Sequence, residues 1–138
     1  MSPVRPAILA PIALGGALGS VARYLLAIGL LPVLGPGFPW ATLSANAAGS
    51  FLIGLFAALA SPGGRLALSP AAWHFVTTGF CGGFTTFSIF SLEAVLLVEA
   101  GAPGRAALYV AVSLMAWLLA VALGWRAGDR LNRLARPS

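Results

Sequence analysis

Residues 79 to 93 read GFCGGFTTFSIFSLE and lie inside an apolar stretch running from about Trp73 to Glu99. A bilayer core about 30 Å thick needs ~20 mostly apolar residues of helix, so this stretch is long enough to cross one. Yet its middle holds Gly82, Gly83, Thr85, Thr86 and Ser88 within seven residues. A straight lipid-facing helix gains nothing from that polarity. Paired glycines weaken a helix, and the three hydroxyls can satisfy backbone groups released by a break. The pattern therefore predicts a helix discontinuous around Gly82 to Thr86. A kink that serves packing alone is the plainer reading of the same glycines. Carbonyls freed near the midplane would form a cation site, and a carbonyl cage without carboxylates suits a monovalent ion such as Na⁺.

Working outward, three more segments meet the spanning length: about Ala7 to Leu31, Phe38 to Ala60 and Arg105 to Arg126. Pro and Gly concentrate between the spans, in LPVLGPGFP (31 to 39), SPGGRLALSP (61 to 70) and GAPGR (101 to 105), where helices must stop. Residues 1 to 138 thus form a single all-α transmembrane domain of four helices, with short loops that make neighbours antiparallel. Composition agrees, because 59% of the chain is hydrophobic and 8% charged, too apolar for one soluble core of this length. The positive balance comes from eight arginines against Glu93, Glu99 and Asp129. Most of those arginines flank spans, as membrane insertion produces, so nucleic acid is excluded as the partner and the lipid bilayer takes its place. The single cysteine, Cys81, lies within a span and reads as a small packing residue. The first span carries Arg23 and Tyr24 and is too long for an export signal.

Polar groups inside hydrocarbon need partners, so their placement is informative. In the second span Thr42, Asn46, Gly49 and Ser50 share one helical face, and Asn46 brings an amide donor and a carbonyl acceptor near mid-bilayer. For an isolated intramembrane Asn, a plain helix-to-helix hydrogen bond is the favoured reading. Tyr109 and Ser113 form a hydroxyl stripe one turn apart in the fourth span. Phe87 and Phe90 share a face beyond the glycine pair, either as ordinary packing or presenting positive ring edges to a small dehydrated anion. Arg23 and Glu93 either pair with each other or line aqueous vestibules. Gly15 with Gly19, Ser50 with Gly54, and Ala116 with Ala120 are small-residue faces that let backbones approach, within one subunit or between two.

Three stretches, GGALGSVARY (15 to 24), ATLSANAAGSFLIG (41 to 54) and GFCGGFTTFSIFSLE, resemble in order and spacing the signature stretches of the Fluc/CrcB fluoride channels. The resemblance covers essentially the whole chain. It implies a dual-topology homodimer of two oppositely oriented subunits with two fluoride pathways. The setting it implies is the bacterial cell (inner) membrane, where such channels export fluoride and lower its cytoplasmic level. Carried over by position, it makes the backbone carbonyls of Gly82 and Thr85 ligands of a central structural Na⁺, with no organic cofactor. It makes Asn46 a fluoride donor beside Phe87 and Phe90, with Ser88, Tyr109 and Ser113 as a hydroxyl track. Arg23 and Glu93 fall at family motif positions.

Two features depart from the family pattern. Ile89 stands where the family usually has a threonine of the hydroxyl track. Arg5, Arg65, Arg126, Arg130, Arg133 and Arg136 would share one side against Arg105 alone, a bias that predicts both termini in the cytoplasm, whereas dual insertion needs weak bias. A homologous subunit of opposite orientation is the alternative partner. A small multidrug exporter needs a carboxylate in the first span, where Arg23 stands instead. A proton-coupled fluoride antiporter would use Glu93 as proton carrier. A non-transporting assembly subunit would leave the midplane hydroxyls without a purpose. The expected order is channel, antiporter, then subunit.

Overall fold

The computed structural model describes residues 6–134, so Arg5 and Arg136 of the arginine count lie outside the described residues. Helix α1 (Pro6–Leu34) is followed by α2 (Trp40–Leu59) and by α3 (Pro70–His74). A π-helical segment, Phe75–Cys81, continues α3 into the short α4 (Gly82–Phe84). After two extended residues come α5 (Phe87–Glu99) and α6 (Pro103–Leu134). There is no strand among the described residues. Four stretches, Ala7–Leu34, Trp40–Leu59, Pro70–Glu99 and Pro103–Leu134, are long and apolar enough to cross a membrane.

Span boundaries shift at several ends. Ser69 caps the third span, its hydroxyl accepting from the Ala72 amide at 3.2 Å with Pro70 in the first turn, so this helix starts before Trp73. The largest change is in the fourth span, which continues past Arg126 to Leu134. At ~1.5 Å per residue its 32 residues measure about 48 Å, more than the hydrocarbon core requires. The last turns are therefore polar helix beyond the apolar span. Arg133 pairs with Asp129 one turn earlier at 2.7 Å. Asn132 ties the extension down, donating to the Ala58 carbonyl at 2.8 Å and accepting from the Arg65 amide at 2.9 Å. Charges end a hydropathy window but not a helix.

Two backbone-close pairings build the subunit. Helix α2 packs along α6, with Gly54 facing the Val121 carbonyl and Gly124 facing that of Phe51. Helix α1 packs along the π-helical segment and α4, so the Gly15 and Gly19 face serves contacts within the subunit. A buried cluster of Leu43, Phe90 and Tyr109 ties α2, α5 and α6 together, with Phe38, Leu97 and Trp117 around it. Leucines along α1 and α6 remain exposed, as suits surfaces that meet lipid.

Candidate ion site

The site is organised by the break in the third span. Helical geometry holds through Gly82 (φ −63°, ψ −38°) and ends after Phe84, where Thr85 (φ −87°, ψ 160°) and Thr86 (φ −153°, ψ 125°) are extended. The glycine pair itself is thus helical and the extended residues come just after it. Close approach explains why glycine is still needed there: a methyl on Gly83 would collide with the Gly16 carbonyl on α1. The π-helical segment upstream, with its widened turns, was not legible in the sequence.

Side chains replace the lost helix bonds one by one. Thr85 folds back, its amide and hydroxyl both donating to the Cys81 carbonyl at 2.9 and 2.8 Å. Thr86 is held from α2: its amide donates to Asn46 Oδ1 at 2.7 Å, and Asn46 Nδ2 donates to its carbonyl at 2.9 Å. This two-point clamp lets one amide side chain act as the neighbouring strand that extended backbone requires. Gly49, one turn along α2, leaves the room that the Thr85 methyl occupies. The Thr86 hydroxyl accepts from the Ile89 amide at 3.2 Å and caps α5. Among the described residues, the carbonyls of Gly82, Phe84 and Thr85 accept no hydrogen bond, whereas that of Gly83 faces Arg23 Nε at 3.3 Å and the Ser20 hydroxyl at 3.5 Å.

Beyond the break, Phe87 and Phe90 have ring centroids 5.6 Å apart but opposite environments, Phe87 being 70% exposed and Phe90 6%. Phe90 also touches Tyr109 at 5.1 Å and Trp117 at 4.8 Å, so it is fixed in an aromatic cage. A cavity of about 220 Å³ opens beside them, lined by Asn46, Ser50, Ile53, Thr85, Thr86, Phe87 and Trp117. The N-terminus of α5 lies at its edge. Amides in a helix's first turn lack intrahelical acceptors, and the peptide dipoles make that end attractive to negative charge.

Arg23 and Glu93 do not pair. Glu93 Oε1 accepts from the Thr42 hydroxyl at 2.9 Å and Oε2 from the Tyr109 hydroxyl at 2.7 Å, while Arg23 reaches the Gly83 carbonyl. Neutral donors from two other helices satisfy the carboxylate, so it needs no arginine. The expected hydroxyl track is divided. Ser88 is exposed and 3.3 Å from the Thr86 hydroxyl, Tyr109 is fully buried and committed to Glu93, and Ser113 is fully buried without a partner among the described residues. Thr42 and Thr86, placed by the sequence on the Asn46 face and at the break but given no place among the expected site residues, contact Glu93 and Asn46. Thr42 was visible on the Asn46 face, but its partner lies 51 positions away.

A family profile described as CrcB-like protein, Camphor Resistance (CrcB), matches residues 10–125, from α1 into α6. The chain belongs to the CrcB family. Among its relatives, the "Fluoride-specific ion channel FluC 1" of Rhodopseudomonas palustris (strain BisB18) is 51% identical over 130 residues, covering 94% of this CrcB chain and 92% of the relative. The "Fluoride-specific ion channel FluC" of Opitutus terrae is 50% identical over 123 residues, covering 89% and 93%. That of Thermus thermophilus is 50% identical over 120 residues, covering 87% and 92%. These CrcB relatives are named as ion channels, not enzymes, and with four helices long and apolar enough to cross a membrane this chain is a non-enzymatic, multi-pass membrane protein.

Proposed function

We propose that this chain is a subunit of a fluoride-selective channel, carrying fluoride down its gradient out of the cytoplasm across the bacterial inner membrane. The observation that carries the reading is the Asn46 clamp on Thr86, which holds Thr86 extended beside a cavity that Asn46 and Phe87 also line. Fluoride is small and strongly hydrated, so a dry path must replace lost water with hydrogen-bond donors. Asn46 spends one amide hydrogen on Thr86 and keeps the other for the anion. The edges of Phe87 and Phe90 add positive potential, and a bare carboxylate there would repel the ion. Ser88 and Ser113 offer hydroxyls, whereas the Tyr109 hydroxyl reaches the path only by releasing Glu93. Arg23 lines a vestibule in this reading.

The working unit in this proposal is an antiparallel dimer of two copies, broken at the midplane in each third span. The residues around the break fit a central Na⁺: among the described residues, no donor reaches the carbonyls of Gly82 and Thr85. A cation bound there would tie the subunits together and add positive charge near the anion route. Proton-coupled antiport is less well supported, because both Glu93 oxygens are already engaged by the Thr42 and Tyr109 hydroxyls. Purified chain in liposomes should release trapped fluoride rapidly and retain chloride. Vesicles that hold both ions alike would remove the channel reading and leave an assembly subunit.

A further inference from the structure

Helix α6 has a charged end that the anion route leaves unused. Gly124 and Gly128 are buried, and Asn132 follows one turn later, bonded to the Ala58 carbonyl and the Arg65 amide. These three, spaced by four, fix the face of α6 that meets the bundle. Arg126, Arg130 and Arg133, at i, i+4 and i+7, share another face. At about 100° per residue it lies nearly opposite the first, and all three arginines are exposed. Arg133 is committed to Asp129 at 2.7 Å, whereas Arg126 and Arg130 make no ion pair among the described residues. At the other end of the helix, Arg105 donates to the Gly37 carbonyl at 3.2 Å, with Glu99 nearby in the chain to offset its charge.

Depth follows from helix length. From Arg105 to Arg126 the helix rises about 32 Å at ~1.5 Å per residue, close to the hydrocarbon thickness, so Arg126 sits at one edge of the apolar layer. Arg130 and Arg133 lie about 6 and 10 Å farther out, at the level of the lipid headgroups. Met115, Leu119 and Leu123 continue the arginine stripe back into the apolar span, and all are exposed.

We propose that the Arg126 and Arg130 face of α6 binds the headgroup of an anionic phospholipid, for which phosphatidylglycerol is the probe. Charge, depth and rigidity all argue for that occupant. The two guanidiniums are one turn apart, so both can reach one phosphate, and their planar forks match its oxygens. Met115, Leu119 and Leu123 offer an acyl chain a surface directly below the headgroup, which a free phosphate would leave bare. The Asn132 bonds hold this part of the helix before any lipid arrives, so little ordering is lost on binding. The site needs one subunit and is independent of the channel reading.

The test reconstitutes the full chain in equal amounts of phosphatidylglycerol and phosphatidylcholine, extracts it in detergent and quantifies the lipid that purifies with it. The parent should retain phosphatidylglycerol over phosphatidylcholine by roughly 25-fold, from about fivefold for each of the two arginines. Combining Arg126→Gln with Arg130→Gln should bring the ratio close to one, whereas Arg105→Gln, at the far end, should leave it unchanged. Raising the salt during extraction should erode the parent's preference. Inorganic phosphate should displace no more phosphatidylglycerol than chloride does at matched ionic strength. Equal retention of the two lipids by the parent, or a preference that survives in the double variant, overturns the proposal. Displacement specific to inorganic phosphate also overturns it, by making the face a free-anion site. Should the double variant fail to assemble, the parent's ratio and its salt dependence still decide.

Discussion

Replacing Asn46 with leucine, which has nearly the same shape, removes both hydrogen bonds that hold Thr86 extended. Asn46 is 5% exposed, so water cannot take over. A buried donor or acceptor left unpaired costs roughly 1–3 kcal/mol, so the Thr86 amide and carbonyl together would cost about 2–6 kcal/mol in the open geometry. The backbone has one nearby escape: the Thr86 amide can return to the Gly82 carbonyl and close the helix, which removes the penalty and the break together. Asn46→Leu should therefore shift the third span toward a continuous helix. At ~1.4 kcal/mol per factor of ten, even the lower figure reduces the open form more than tenfold. Fluoride efflux from liposomes should fall accordingly, and hydrogen exchange at the Thr86 amide should change as its acceptor passes from Asn46 Oδ1 to the Gly82 carbonyl. Asn46→Asp keeps the acceptor for the Thr86 amide, so it should preserve exchange behaviour while losing flux through charge repulsion. Parent-rate flux in Asn46→Leu, with unchanged exchange at Thr86, would refute the clamp.

Phe87→Ile and Phe90→Ile keep apolar bulk but remove the ring edge, and each should cut fluoride flux strongly while chloride stays excluded. Only Phe90→Ile should also lower thermal stability, by about 1–2 kcal/mol, because it alone packs against Tyr109 and Trp117, so melting curves of both variants separate packing from ion contact. Ile89→Thr restores a hydroxyl beside the Thr86 cap and should hold or raise flux, so a large fall in folded protein would mean the path uses different chemistry. For topology, Ser61→Cys in a Cys81→Ala background should be labelled from both faces of the native membrane. One-sided labelling would contradict the antiparallel homodimer and point to a partner chain of opposite orientation.

The four spans were legible because each depends on local hydropathy and on Pro and Gly punctuation, which need no tertiary information. The Asn46 contact was not legible in detail: an intramembrane amide needs a partner, but only the fold shows that the partner is backbone 40 positions away. The extended residues, Thr85 and Thr86, fall within the expected Gly82 to Thr86 stretch, but the glycines themselves stay helical because glycine answers two demands. It weakens helices, and it also lets α1 approach, and here Gly83 serves the second. Arg23 and Glu93 invited pairing as opposite charges within the spans. Hydroxyls from Thr42 and Tyr109 reach the carboxylate first, and no charge pattern encodes that. The polar end of α6 beyond the apolar span was not legible as helix, because Asn132 fastens it to Ala58 and Arg65, residues distant in sequence.

The central claim, passive and selective fluoride conduction by this chain alone, is tested most directly by current reversal in a planar bilayer containing the purified protein. A fluoride channel predicts a reversal potential that moves about 59 mV for each tenfold fluoride gradient and does not move when pH differs across the membrane at fixed fluoride. A reversal potential that follows the pH gradient, or that follows chloride, would contradict it.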